Sequence, residues 1–285
     1  MGWTDEQVGR SGALTLAQDG DGAPVAASDL ALSAEWVVGA DAGGAAVVAG
    51  VLPLRAGLVA LAGFALVLFL GDGLHHSLQR QVGSGSLSVV LAVAAQYLAM
   101  AALCVGVTRH WGTGSMRADL GLAFKPVDWL DGTIGWLAGV GLVGVIAAAL
   151  GRLGIPTTTN NPLVSKGEAS TSLMPQWLAL ALAALVMVAL APLLEELLFR
   201  GVLFRSLRSQ CGIAPALIMQ AVAFGLFHAD QGRGSGNVGL VAILSTVGLV
   251  LGVIAHRAQG RLGAAIVAHG LHNGLAFGLG LAAIV

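Results

Sequence analysis

The sequence predicts an all-α fold: a polytopic transmembrane helical bundle of about seven spans, with about six to eight compatible with the pattern. Three observations carry that expectation. The chain of 285 residues is 56% hydrophobic and only 10% charged, with a mean hydropathy of +0.84, whereas soluble domains carry about 25% charged residues. Its apolar residues fall in runs of about 20, enough to cross a hydrocarbon core as a helix. Glycine, at 42 residues, is abundant, as it is where membrane helices pack closely.

Taken in order, residues 1–50 read as a flexible, weakly acidic N-terminal tail. Its first part is rich in Asp, Ala, Gly and Ser, with Asp19, Asp21 and Asp29 among them. It does not read as a signal peptide, because no basic region leads straight into an apolar one. Residues 35–50 are mildly apolar, but Glu35, Asp41 and the Gly43-Gly44 pair argue against a span. The transmembrane domain is expected over 51–285. Its spans are predicted at 51–70, 87–108, 131–150, 177–197, 213–230, 238–255 and 262–284. Connectors carry turn residues, including Gly71-Asp72-Gly73, Gly83-Ser84-Gly85, Ile155-Pro156 and Asn161-Pro162. Residues 113–130 interleave Arg117, Lys125 and Trp129 with Leu120, Leu122 and Phe124, the mark of an interfacial segment.

Several functions are disfavoured at once. A net charge of −1 offers no basic footprint for nucleic acid. Two cysteines, Cys104 and Cys211, make neither a disulfide framework nor a CxxC metal site. Lys and Arg set the orientation. With the N-terminus in the cytoplasm, Arg10, Arg55, Arg109, Arg117, Lys125, Arg200, Arg205, Arg208, Arg257 and Arg261 lie inside. Arg80, Arg152, Lys166 and Arg233 lie outside, a split of ten to four.

Charge inside the spans is the most informative feature. Residues 195–200 read Glu-Glu-Leu-Leu-Phe-Arg, and a charged side chain at the bilayer centre costs roughly 2.5–3.5 kcal/mol on insertion scales. On a helix, Glu196 and Arg200 share a face as an i,i+4 pair, and Glu195 is left free for chemistry. His228 closes the run Phe224-Gly-Leu-Phe-His228. His269 and Asn273 are four apart on the last span, with His272 beside them. Helix-to-helix hydrogen bonding is the plain alternative for such groups. Spacing favours convergence: Glu195 lies 16 residues before Cys211 and His228 lies 17 after it. Both are then about 25 Å from one turn of an antiparallel hairpin. The full 177–209 stretch, at roughly 50 Å as a helix, is too long for the lipid core. Pro192 is expected to kink it and release the half carrying Arg205 and Arg208.

A carboxylate and a neutral imidazole at one point can hold and deprotonate a water. A second His and an Asn amide can stabilise an oxyanion. Together they suit amide hydrolysis without a covalent intermediate. Glu195, His228 and His269 are equally a possible ligand set for a divalent metal such as Zn²⁺, although no HExxH motif is present.

The order EExxxR (195–200), FxxxH (224–228) and HxxxN (269–273) on successive apolar helices resembles the CPBP family, the CAAX prenyl-protease type II and bacteriocin-processing (Abi) membrane proteins. The resemblance covers about 175–285. It implies an intramembrane endopeptidase in which Glu195 is the general base, assisted by His228. His269 and Asn273 would form the oxyanion site, and Glu196 and Arg200 would support the geometry. His272 has no counterpart role. The implied partners are a peptide or protein substrate at the membrane and the bilayer itself. Eukaryotic relatives act after a prenylated cysteine, and prokaryotic ones are associated with peptide maturation or bacteriocin self-immunity. The Lys-poor, Ala- and Gly-rich composition suits a prokaryotic cell membrane. The competing readings are a non-enzymatic self-immunity or scaffold protein and a proton-coupled transporter, the latter disfavoured because no internal repeat is seen.

Overall fold

The computed structural model describes residues 38–40, 46–48, 51–82, 86–157, 176–229, 234 and 236–282. The chain falls into two units, Met1–Ala49 and Gly50–Val285. In the first, Val38–Ala40 (β1) pairs antiparallel with Ala46–Val48 (β2), with Val38 opposite Val48. The ambiguous 35–50 stretch thus contains a short strand pair on either side of Gly43-Gly44. The expected acidic tail before residue 38 lies outside the described residues, as do the breakers at 83–85 and 161–162.

All other regular structure in the described residues is helical. The second unit comprises α1 (Leu54–Val82), α2 (Ser86–Trp111), α3 (Met116–Leu120), α4 (Val127–Arg152), α5 (176–211), α6 (Ile213–Leu226), α7 (Asn237–Arg257) and α8 (Gly263–Ala282). Each of the seven expected spans corresponds to an apolar helix. Five of them are long and apolar enough to cross a membrane, at Leu54–Leu78, Leu91–Trp111, Val127–Arg152, Leu180–Cys211 and Asn237–Arg257. The other two fall short for physical reasons. α6 has 14 residues, about 21 Å against a core near 30 Å. α8 carries His269, His272 and Asn273 among its apolar residues. The early end of α6 leaves His228 in a turn, with its N–H donating to Gly225 O.

Glycines let the helices approach. A methyl at Gly225 would meet Ser245 and the Val241 carbonyl, and one at Gly248 would meet Ala221 and Phe224, so α6 and α7 touch backbone to backbone. Such close approach is how membrane helices gain packing energy without a hydrophobic drive. The core gathers around α5, with Leu198, Phe199, Val202 and Leu203 packed on Met100, Cys104, Phe224 and Leu251. α4 instead turns Leu130, Ile134, Leu137 and Val145 outward, as a lipid-facing helix does.

The 113–130 segment, read as interfacial, packs closely against the rest of the second unit. Its short helix α3 is capped by Ser115 and closed by Gly121 at φ +76°. It docks Leu120 onto Gly201, where a methyl would collide with Leu120. Gly121 and Ala123 carbonyls accept the N–H groups of Leu262 and Gly263 at the start of α8. Buried Asp119 and Asp128 organise this latch, while Phe124, Val127, Trp129 and Leu130 remain outward.

Candidate active site

α5 is one continuous helix whose hydrogen-bond register widens to π twice. Gln176–Leu185 is α, Val186–Leu190 is π, Ala191–Glu196 is α, Leu197–Phe204 is π and Arg205–Cys211 is α. The first change follows from Pro192. The Ala191 N–H donates to Val186 O, five residues back. The Met187 carbonyl would take the N–H five residues on, but that residue is proline and has none. Its acceptor is satisfied from elsewhere: Asn273 Nδ2 on α8 donates to Met187 O at 2.9 Å. The expected kink is therefore a π turn, and Asn273 is committed to it through one of its two amide N–H groups.

One turn further, Glu196 and Arg200 form the expected clamp. Arg200 Nη1 donates to Glu196 Oε1 at 2.7 Å, with both side chains at 0% exposure. Arg200 Nη2 also donates to Gly248 O at 2.8 Å, and Gln220 Nε2 reaches the same carbonyl at 3.0 Å. The guanidinium lies 4.8 Å from the Phe224 ring centroid, a cation–π contact that holds it further.

The structure brings Glu195, His228 and His269 to one point. Glu195 Oε2 is 3.8 Å from His228 Nε2 and 3.7 Å from His269 Nε2. The other nitrogen of each ring fixes what these contacts mean. His228 Nδ1 lies 2.7 Å from the Phe224 carbonyl, which can only accept, so Nδ1 carries the proton. His269 Nδ1 lies 2.9 Å from Glu196 Oε1, a carboxylate already paired with Arg200, so it too donates. In their neutral forms both Nε2 atoms then turn lone pairs toward a carboxylate oxygen. Three acceptors face one another with no proton among them, and Glu195 Oε2, like Glu196 Oε2 and Asp119 Oδ2, is buried without a hydrogen-bond partner among the described residues.

Exposure grades the three residues: His269 is 3% exposed, Glu195 13% and His228 34%. Glu195 and His228 open on a cavity of about 150 Å³, further lined by Phe64 and Leu68 of α1, Gln96, Tyr97 and Met100 of α2, and Phe227. His269 and Asn273 do not line it. His272 lies on another side of α8, on a separate cavity of about 20 Å³ with Trp136, Val247 and Leu251.

The donor set suits a metal ion in kind, with two free imidazole nitrogens and a carboxylate. The two spacings from Glu195 to the imidazoles, 3.7 and 3.8 Å, lie near the about 3.4 Å between ligands on an ideal tetrahedral zinc. Among the described residues, however, no group of three His, Cys, Asp or Glu is arranged to hold a metal.

The sequence analysis named Glu195, His228, His269 and Asn273 but not Gln96 and Tyr97, which line the cavity beside Glu195. The signal was available: adjacent polar side chains in the middle of an apolar span, Tyr97 being the only tyrosine in the chain.

No curated protein and no solved structure matches the chain at a significant level. Residues 176–275, the stretch from the start of α5 to beyond Asn273, match the family described as type II CAAX prenyl endopeptidase Rce1-like. With the apolar helices of the second unit, this makes the chain an integral membrane protein whose residues 176–275 are similar to the Rce1-like type II CAAX prenyl endopeptidases.

Proposed function

We propose that the protein hydrolyses a peptide bond of a membrane-associated substrate with a water held and activated by Glu195 and His228. One observation carries this reading. A buried carboxylate oxygen with no hydrogen bond of its own faces two imidazole lone pairs at 3.7 and 3.8 Å. Such a cluster calls for a donor between its acceptors, and a water has two protons to give. The separations leave no room for it on the direct line, so it sits to the cavity side of Glu195 and His228.

The chemistry proceeds from that placement. Glu195 takes one proton from the water, and the oxygen adds to the carbonyl carbon. The carbonyl π pair moves onto its oxygen. When the C–N bond breaks, its electron pair leaves with the nitrogen, and protonated Glu195 supplies the proton. His228 accepts the water's other hydrogen and keeps the oxygen lone pair aimed into the cavity. Glu196 holds the His269 ring, and Arg200 holds Glu196. His269 and Asn273 are the oxyanion groups that the family resemblance implies; Asn273 retains one uncommitted amide N–H, while neutral His269 turns a lone pair inward.

The cavity suggests the substrate's shape. Phe64, Leu68, Met100 and Phe227 make its apolar side. An apolar cavity of about 150 Å³ takes a benzene-sized guest. One medium apolar side chain beside the scissile bond fits that space. In this reading the N-terminus is cytoplasmic and the turns near Cys211 and Gln259 share the cytoplasmic side.

The test uses the full chain in proteoliposomes with internally quenched peptides carrying either a free or a farnesylated cysteine. His228→Ala should lower turnover by about 10²–10⁴-fold, the usual range for a general acid–base group. Chelation followed by zinc add-back should leave the wild-type rate unchanged. Unaltered cleavage by His228→Ala would remove the ring from the mechanism, and zinc-restored activity would replace the metal-free scheme.

A further inference from the structure

An oxyanion that forms in the cavity beside Glu195 needs a hydrogen-bond donor aimed into that cavity. The two expected donors are poorly placed for it. Neither His269 nor Asn273 lines the cavity, His269 is nearly closed off at 3% exposure, and Asn273 already gives one N–H to Met187. Besides His228, the lining side chains that carry a donor are Gln96 and Tyr97.

These two differ. The Gln96 amide is packed into the notch left by Gly71, where a methyl would overlap its Nε2, Cδ and Cγ atoms. The Tyr97 phenol has no hydrogen-bond partner among the described residues, and Glu195 is the charged group that acts on it. Tyr97 shares a face of α2 with Met100, three residues on, so its ring stands on the cavity wall. It is not part of an interfacial aromatic belt. It lies 11 residues from the start of α2 and 14 from its end, roughly 16 and 21 Å from either terminus.

Resting on the proposed water activation by Glu195 and His228, we propose that Tyr97 is a further catalytic residue: its phenol O–H donates to the carbonyl oxygen as that oxygen takes up negative charge. The bond changes are those of the hydrolysis itself. As hydroxide oxygen bonds to the carbonyl carbon, the π pair settles on the carbonyl oxygen, which accepts the Tyr97 O–H. The phenol keeps its proton throughout. It donates less as the pair returns and the C–N bond breaks. The assignment brings in α2, outside the family-matched 176–275 stretch, so one part of the reaction is supplied by a helix with no shared motif.

Tyr97→Phe removes the O–H and keeps the ring. In the full chain, reconstituted in proteoliposomes with the same quenched peptides, it should lower kcat by about 10²–10³-fold. KM and the thermal unfolding temperature should stay at wild-type values. Tyr97→Leu should lower kcat no further, since the O–H is already lost in the Phe variant. A wild-type kcat for Tyr97→Phe overturns the proposal, as does a loss that appears equally in KM and in unfolding temperature. Glu195→Gln, run beside it, separates the two claims. If that variant still cleaves, the water-activation reading fails and Tyr97 falls with it. If it is inactive while Tyr97→Phe is normal, only the phenol's role is lost.

Discussion

Asp128 and Glu195 are both carboxylates drawn into a helical membrane protein, yet their surroundings are opposite. Asp128 opens α4 with no exposed surface. One of its oxygens accepts the Lys125 N–H at 2.7 Å, and the other accepts Arg261 at 3.1 Å. Asp119, also buried, accepts both the N–H and the hydroxyl of Thr113. Glu196 accepts from Arg200 and His269. Glu195 accepts no hydrogen bond among the described residues, and two imidazole nitrogens stand 3.7 and 3.8 Å from its Oε2. Each of the other three carboxylates has at least one oxygen bonded to a donor, although Asp119 Oδ2 and Glu196 Oε2 are also buried without a partner among the described residues. Glu195 has no such bond on either oxygen and faces acceptors on a cavity. A buried polar group without a partner calls for an explanation, and the contrast fits the proposal that Glu195 does chemistry while the other three hold structure.

Breaking the locked charges tests the first half of that contrast. Glu196→Ala should have the largest effect. It leaves the Arg200 guanidinium buried without its anion, and removing one partner of a buried pair costs about 3–5 kcal/mol. Denaturant or thermal unfolding in detergent measures it. A loss below about 1 kcal/mol would mean that Gly248 O and the Phe224 ring hold Arg200 without Glu196. Asp128→Ala should cost less, about 1–3 kcal/mol, because it orphans one backbone N–H and one partly exposed Arg261. Turnover should be nearly normal in the molecules that remain folded. A large fall in kcat at full stability would make the latch part of the site.

Asn273 sharpens the comparison from the other side, because it bridges scaffold and site. Asn273→Ala leaves Met187 O without a donor in the lipid-embedded bundle, which should cost about 0.6–1.7 kcal/mol. Pro192→Ala restores an N–H in the π register and gives that carbonyl a partner of its own. The double variant should therefore lose less than the sum of the single changes, with a coupling of about 0.5–1.5 kcal/mol. Strict additivity would show that the proline and the asparagine are not serving one carbonyl.

Much of this architecture was legible in the chain. Runs of about 20 apolar residues mark helices because a bilayer accepts no unpaired backbone, and the positions of Glu195 and His228 on either side of the Cys211 turn placed them at one depth. The rest depended on contacts that no local pattern encodes. The 113–130 segment has the composition of an interfacial stretch, but its docking is set by tertiary partners: Gly201 offers Leu120 a notch and α8 offers two N–H groups. Pro192 announced a disturbance in α5 without saying that a π turn would absorb it. Asn273 reads as a donor to substrate, and only the register shift reveals a carbonyl that claims half of it. Tyr97 went unread because a lone tyrosine in an apolar span is ordinary until the cavity beside it is known.

Glu195→Gln should have the smallest effect on stability of all these changes. Asp128 and Glu196 lose hydrogen bonds when altered, whereas Glu195 has none to lose. The substitution also removes a mismatch. A glutamine amide can donate to the Nε2 lone pair of His228 or His269, which the carboxylate cannot do without a bridging donor. Unfolding free energy should change by less than about 0.5 kcal/mol, and any shift should be upward, the usual trade when an active-site strain is relieved. Cleavage should nevertheless be lost, because an amide takes no proton from water. A Glu195→Gln protein destabilised as strongly as Glu196→Ala would show that this carboxylate is structural after all, and the difference between the two glutamates would disappear.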